Sequence, residues 1–502
     1  VLYVNKATYG RRGVSADHPL AVSAGLEVLR SGGNAFDAAI AVSAVLTVVH
    51  PFSGGIGGDG FLLVLRGDEI IAYNGSGRSP HGFDPEAYIA SKPVRGPLTV
   101  TVPGLVEMWG YIYEEYCSKD LDELLKPAIS LAENGYYADR MLANAVKKYR
   151  GELAGYERWA KLYGDIDVGS YIKNRGLAST LRRISNRGWD EFYYGGLAEE
   201  IVEELENQGV GISLEDLMDH EGEEVEPLKL DLGFRVLYEL PPNSQGVSTL
   251  QMISSIYELE LHRYSFADPN RIKIWRNPVS AVYSFRDRYL GDPDYMEIDV
   301  SKYTTYRSII VAPATTPRID GGDTTFFVID DGENLVGFIQ SLFYPFGSGL
   351  IAGGAVIQNR GRGFSYERSI PNSPLPKKRP LHTLSILMAE DYESNSIYMI
   401  GCAGGDYRPQ IHTTIYENIF IYGMDLGEAV SAARFIYTDL SKASKVVAEG
   451  VLGETNLGSE IEVIRAPQYG STGIVNAAKR NRSKGYTEFA PDPRGASISI
   501  AV

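Results

Sequence analysis

Hydrophobic positions along this chain change period several times, and each change predicts a different element. From Pro19 to Ser31, PLAVSAGLEVLRS has helical spacing and stops at Gly32-Gly33, a C-cap signal. A second helix is expected from about Asn34 to Val49, where AFDAAIAVSAVLTVVHPF is apolar on every side. That stretch carries Asp37, ends at a proline and is shorter than the roughly 20 residues a bilayer span needs, so it reads as a buried core helix. SGGIGGDGFLLVL then reads as a glycine turn feeding a strand, and residues 120–220 are mostly helical in pattern. Around 226–240 and 307–312 the texture becomes that of strands. From Thr324 onward strands dominate, with one helix expected over 408–433. Strands and helices mix without a regular βαβ rhythm, which predicts a layered α+β protein rather than a doubly wound sheet. No internal repeat or low-complexity linker divides the chain.

The sharpest local pattern runs from Gly321 to Ser341. TTFFVID is a β-branched and aromatic run apolar on both faces, as suits a strand covered on both sides. DDGEN is a turn centred near Asp331-Gly332, and LVGFIQS returns. Folding that hairpin brings Thr324 opposite residues 339–341, with Ser341 close enough for its hydroxyl to join a hydrogen bond.

Composition narrows what the chain can do. Its 502 residues allow on the order of three domains or one large multilayer fold. With 44% hydrophobic and 22% charged residues it can build a large core, and a net charge of −16 argues against a nucleic-acid partner. Two distant cysteines, Cys117 and Cys402, favour a reducing compartment. The first residues, VLYVNKATYGRRGV, show neither an apolar h-region nor a small-residue cleavage site, so no signal peptide is read and a cytoplasmic location is expected. Gly55, Gly57 and Gly60 satisfy G-x-G-x-x-G, yet the order is helix, glycines, strand, the reverse of a dinucleotide site. The seven histidines are scattered without metal-ligand spacing, and neither a P-loop nor a G-x-S-x-G elbow is present. No cofactor or metal is expected.

Thr324, after Gly-Gly-Asp, admits two readings. It is a threonine-rich strand start after a glycine loop, or it is a nucleophile. Threonine needs a base, and no His-Asp pair is in local reach. The economical base is its own α-amine, freed by cleavage of the bond before it.

The rest of the chain bears on that choice. The pieces SADHPLAVSAGLEVLRSGGNAFDAAIAVSAVLTVVHP, GIGGDGFLLV, VPGLVEMW, LPPNSQGVSTLQM, DRYLGDP, TTFFVID, FGSG, KKRPLHTLS, GCAGGDYRPQ, AARF and DPRGAS occur in this order. In order and spacing the chain resembles the γ-glutamyltransferase family of N-terminal nucleophile hydrolases over nearly its whole length. The resemblance implies a four-layer αββα sandwich made as a proenzyme. Self-cleavage between Asp323 and Thr324 would leave residues 1–323 and 324–502 interlocked. It implies Thr324 as nucleophile, Gly404 and Gly405 as oxyanion donors, and Arg78 as the grip on a substrate carboxylate. Ser341, Arg360, His382 and Thr383 are the further substrate-binding candidates.

The chain departs from its family at the amino end of the substrate. Phe343, Arg360 and Gly363 stand where the family has asparagine, glutamine and aspartate, and His382-Thr383 replace a serine pair. The short segment Phe364–Lys378 leaves no room for the family's lid. The resemblance is therefore nearer to the amidohydrolases and acylases of the family, which act on amides of small acids such as oxamate or on glutaryl-type side chains. The expected partners are a small amide substrate bearing a carboxylate, and water or an amine acceptor. No nucleic acid or membrane is expected, and a homodimer is left open. Two other readings remain: a true γ-glutamyltransferase with relocated amino contacts, and an uncut, silent scaffold.

Overall fold

The computed structural model describes residues 6–310, 323–466 and 471–502. Gly321-Gly322 and the end of the 307–312 segment lie outside the described residues.

The two N-terminal helices form where their patterns place them, Pro19–Arg30 and Ala35–Val49. Asn34 opens the second with a reciprocal cap: its side chain accepts from the Phe36 and Asp37 amides (both 2.9 Å), and Asp37 accepts from the Asn34 amide (2.8 Å). Every residue of this helix is buried, so it has no polar face to show. Among the described residues no helix is long and apolar enough to cross a membrane.

Two seven-stranded sheets carry the architecture. One runs Thr8–Gly10, Tyr486–Pro491, Ile474–Asn481, Ser396–Ala403, Leu387–Asp391, Arg235–Glu239, Leu228–Asp231. The other runs Ile498–Ala501, Gly13–Ala16, Asp323–Asp330, Asn334–Phe343, Asp59–Arg66, Glu69–Gly75, Glu223–Glu224. The neighbours in both sheets pair antiparallel, and each sheet takes strands from either side of residue 323.

Strand alternation decides which core each side chain joins. Phe326, Val328, Leu335 and Ile339 of the second sheet meet Met388, Ile397, Met399 and Phe489 of the first. Their neighbours Phe327, Ile329, Val336 and Phe338 turn the other way, into the cluster with helices Pro19–Arg30 and Ala35–Val49. Leu387, Ile400 and Cys402 leave the first sheet's opposite face and pack with Val247, Trp275 and Ile415 from helices. The strand apolar on both sides is therefore covered on both sides. Mixed helix and sheet content makes this an α+β protein.

Two local expectations change. The helix expected over 408–433 is two, Arg408–Phe420 and Leu426–Ser431, because Gly423 at φ +68° turns the chain between them. Residues Tyr306–Ser308 form a 3₁₀ turn capped by Thr305 rather than a strand.

Candidate active site

The hairpin forms about Asp331-Gly332, with Gly332 at φ +96° where a side chain would be strained. Asp330 and Asp331 carboxylates accept the turn amides of Gly332, Glu333 and Asn334. Pairing is regular from Asp330↔Leu335 to Thr325↔Gln340, then slips so that Asp323 faces Phe343. Two residues, Ser341 and Leu342, thus oppose Thr324 alone. This bulge bends the strand end and places Phe343 at φ +77°.

By alternation Thr324 and Ser341 share the face that looks toward the other sheet. Ser341 Oγ donates to the Asp323 carbonyl at 2.7 Å and accepts the Phe343 amide at 2.8 Å. Thr324 Oγ1 lies 3.4 Å from Ser341 Oγ, and the Thr324 amide donates to Asp323 Oδ1 at 2.9 Å. Burial raises the Asp323 carboxyl above the ordinary carboxylate range. Two residues on, Asp17 pins the strand: it accepts from the Phe326 amide, Asn476 and Ser497. The pieces SADHP and DPRGAS therefore meet behind the threonine.

The facing strand Ser396–Ala403 ends beside this group. Gly401 lies under Phe326, where a Cβ would come 2.4 Å from the ring. The chain then turns through Gly404 and Gly405, the latter at φ +50°, into helix Arg408–Phe420. Gly404 and Gly405 cap and open a short 3₁₀ turn, so their amides have no place in its own hydrogen bonding. Gln245 holds the turn: its Nε2 donates to the Gly405 carbonyl (2.9 Å) and the Thr383 carbonyl (2.8 Å). Arg286 holds Gln245 Oε1 (2.9 Å) and Asp406 (2.7 Å). Arg408, at the helix start, reaches back to donate through Nε to the Cys402 carbonyl (2.9 Å) and through Nη2 to Thr324 Oγ1 (3.2 Å).

A ring of contacts closes around the hydroxyl. Phe343, paired with Asp323, carries the Arg360 guanidinium 4.1 Å above its ring. Arg360 Nη1 reaches Thr383 Oγ1 at 3.4 Å, Thr383 leads through Gln245 to Gly405, and Arg408 returns to Thr324. His382 stands next to Thr383. Its Nδ1 accepts the Leu384 amide (3.3 Å), so Nε2 carries the proton and donates to Asp59 Oδ2 (3.2 Å). Burial, then the Arg360 and Arg408 charges, push the imidazole well below its usual pKa, so it is neutral. Asp59 Oδ1 also accepts the Gly77 and Gly104 amides and Gln358. Burial raises its pKa to about 6, against the pull of Arg360 and these donors.

The structure thus gathers Asp323, Thr324, Ser341, Arg360, His382, Thr383, Gly404 and Gly405. Arg78 stands apart. Its guanidinium faces Asp292 (3.8 Å) and Asp294 (3.7 Å) and lines a separate surface depression of about 410 Å³. Among the described residues no three His, Cys, Asp or Glu side chains could hold a metal ion. Sequence reasoning passes over Asp59, Gln245, Arg286 and Arg408. Three of them sit inside the pieces GIGGDGFLLV, LPPNSQGVSTLQM and GCAGGDYRPQ, and Arg286 directly precedes DRYLGDP. The available signal is a lone polar residue set in a glycine-rich or apolar run.

This geometry suits acyl chemistry: a hydroxyl, a peptide carbonyl already polarised by a donor, and amides and guanidiniums around both. A family model described as Gamma-glutamyltranspeptidase matches residues 21–502. The chain is 31% identical to the Glutathione hydrolase-like YwrD proenzyme of Bacillus subtilis (strain 168), over 99% of this chain and 100% of that protein. It is also 31% identical to the Oxamate amidohydrolase proenzyme of Klebsiella pneumoniae subsp. pneumoniae, over 98% of each. Among solved structures it matches cephalosporin acylase from Bacillus halodurans with a TM-score of 0.86 and 29% identity, covering 99% of this chain and 97% of that one.

Proposed function

Because the chain belongs to the gamma-glutamyltranspeptidase family, we propose that it is a self-processing amidohydrolase that cleaves amides of a small, carboxylate-bearing acyl group through a threonyl ester. The fold it rests on is a four-layer αββα sandwich. The observation that carries the reading is the 2.7 Å hydrogen bond from Ser341 Oγ to the Asp323 carbonyl, beside the buried Thr324 hydroxyl.

In the first event Thr324 Oγ1 adds to the Asp323 carbonyl, and Ser341 receives the developing oxyanion. The C–N bond breaks, the leaving nitrogen takes the Thr324 hydroxyl proton, and an ester joins Asp323 to Oγ1. Water hydrolyses that ester. Asp323 becomes a carboxyl terminus and Thr324 an amino terminus. Since both sheets draw strands from either piece, 1–323 and 324–502 stay interlocked.

In turnover the freed α-amine takes the Oγ1 proton as the hydroxyl attacks the substrate amide. The Gly404 and Gly405 amides receive the oxyanion. The amine leaves with the proton, and water or an amine acceptor releases the acyl group. Phe343 and Arg360 set an apolar ring and a cation on the Asp323 side of Thr324, which suits a carboxylate and repels an ammonium. To grip a substrate carboxylate Arg78 would first leave Asp292 and Asp294, so that task falls to guanidiniums already in the ring.

N-terminal sequencing tests the core of the reading. Purified protein should give two fragments, the smaller beginning at Thr324, and Thr324→Ala should stay one chain of about 55 kDa. A variant that still cuts, or a smaller fragment with another first residue, overturns it.

A further inference from the structure

Arg408 is wholly buried at the start of helix Arg408–Phe420, and its donors are only partly used. Nε serves the Cys402 carbonyl and Nη2 serves Thr324 Oγ1, while Nη1 has no hydrogen-bond partner among the described residues. The Cys402 thiol lies against the guanidinium, and the carboxylates in its field are engaged elsewhere: Asp406 with Arg286 at 2.7 Å, and Glu239 with His412 at 3.1 Å. A buried cation with an open N–H is unfavourable unless an anion meets it. Nη1 shares its carbon with Nη2, so the open donor lies within one guanidinium's width of the oxygen that would attack.

We propose that Arg408 is the receptor for the substrate's carboxylate, and that its contact with Thr324 restricts the enzyme to acyl groups whose carboxylate sits on the scissile carbonyl carbon or one methylene away. This rests on Thr324 being the nucleophile. In the ester formed on Oγ1, a carboxylate attached directly to the carbonyl carbon lies beside Nη1 and Nη2, whose parallel N–H bonds match its two oxygens. Each added methylene carries the carboxylate farther from that fork. The oxyanion goes to Gly404 and Gly405, so the two negative charges have separate receptors. The chemistry is amide hydrolysis: the C–N bond breaks, Oγ1 holds the acyl group, the leaving amine takes the hydroxyl proton, and water releases the dicarboxylate.

The test is a ladder of anilides on the cut wild-type enzyme: oxalyl, malonyl, succinyl, glutaryl, and neutral butyryl as control. kcat/KM should fall from oxalyl or malonyl to glutaryl. Arg408→Gln and Arg408→Lys are then compared per cut enzyme, counting Thr324 amino termini. Arg408→Gln should lose roughly 100-fold or more on the shortest substrates and under about tenfold on glutaryl and butyryl, with Lys recovering part. An equal loss on every substrate would show that Arg408 serves the hydroxyl alone and would overturn the proposal. So would a wild-type ladder that is flat or rises toward glutaryl, which decides the matter even if neither variant cuts. Failure of the wild type to cut at Thr324 is a different result, and sinks the nucleophile assignment instead.

Discussion

Ser341→Ala removes one hydroxyl with two jobs. It takes away the donor 2.7 Å from the Asp323 carbonyl oxygen, the atom on which charge would develop in the proposed attack by Thr324. Losing a single aligned oxyanion donor costs about 3–4 kcal/mol of transition-state stabilisation, so self-cleavage should slow by roughly 100- to 1,000-fold. It also strands the buried Phe343 amide, whose acceptor is Ser341 Oγ at 2.8 Å. That second loss acts on the folded state and should lower stability by about 1–3 kcal/mol, without by itself stopping the cut. The two effects separate by assay. Freshly purified protein is sampled over hours to days on a denaturing gel for the rate, and urea unfolding of uncut Thr324→Ala, with and without Ser341→Ala, gives the stability term. Ser341→Thr keeps a hydroxyl and should cut far faster than Ser341→Ala. If Ser341→Ala matures as quickly as wild type, the polarised carbonyl is not what drives cleavage.

Substrate pairs that differ only in an α-amino group, γ-glutamyl and glutaryl anilides, should favour the glutaryl compound by about 1–3 kcal/mol, because an ammonium near Phe343 would meet the like charge of Arg360. Arg360→Gln should narrow the gap; a cut wild-type enzyme that clearly prefers the γ-glutamyl compound restores ordinary γ-glutamyl transfer. Asp59 makes stability depend on pH. Its pKa rises from 3.8 to about 6 on folding, so its contribution is complete below pH 4 and is lost as pH rises through 6, by at most about 3 kcal/mol. In uncut Thr324→Ala protein, urea midpoints from pH 4 to 7 should therefore fall more steeply with Asp59 than with Asp59→Asn, and equal slopes would contradict the assignment.

The hairpin at 324–341 is legible in the sequence because its signals are local. Alternation, β-branching and the Asp331-Gly332 turn act between near neighbours, and they put Thr324 within a row or two of Ser341 whatever the rest of the chain does. The buried helix Ala35–Val49 is legible for the same reason. The stretch 408–433 reads as one helix because apolar spacing continues across Gly423, while the turn depends on that glycine's φ of +68°. The ring around the hydroxyl is another matter. Thr324 meets Arg408 across 84 positions, and Gln245 meets Gly405 across 160. Nothing in the spacing of either pair requires contact. Sequence likewise locates Arg78 in a glycine-rich loop but cannot aim its side chain, which Asp292 and Asp294 draw outward. A chain's local pattern selects strands, turns and the face each side chain takes. Which distant donor then reaches a given oxygen is set by how two sheets and a helix start pack, because hydrogen bonds fade within tenths of an ångström that only the assembled core fixes.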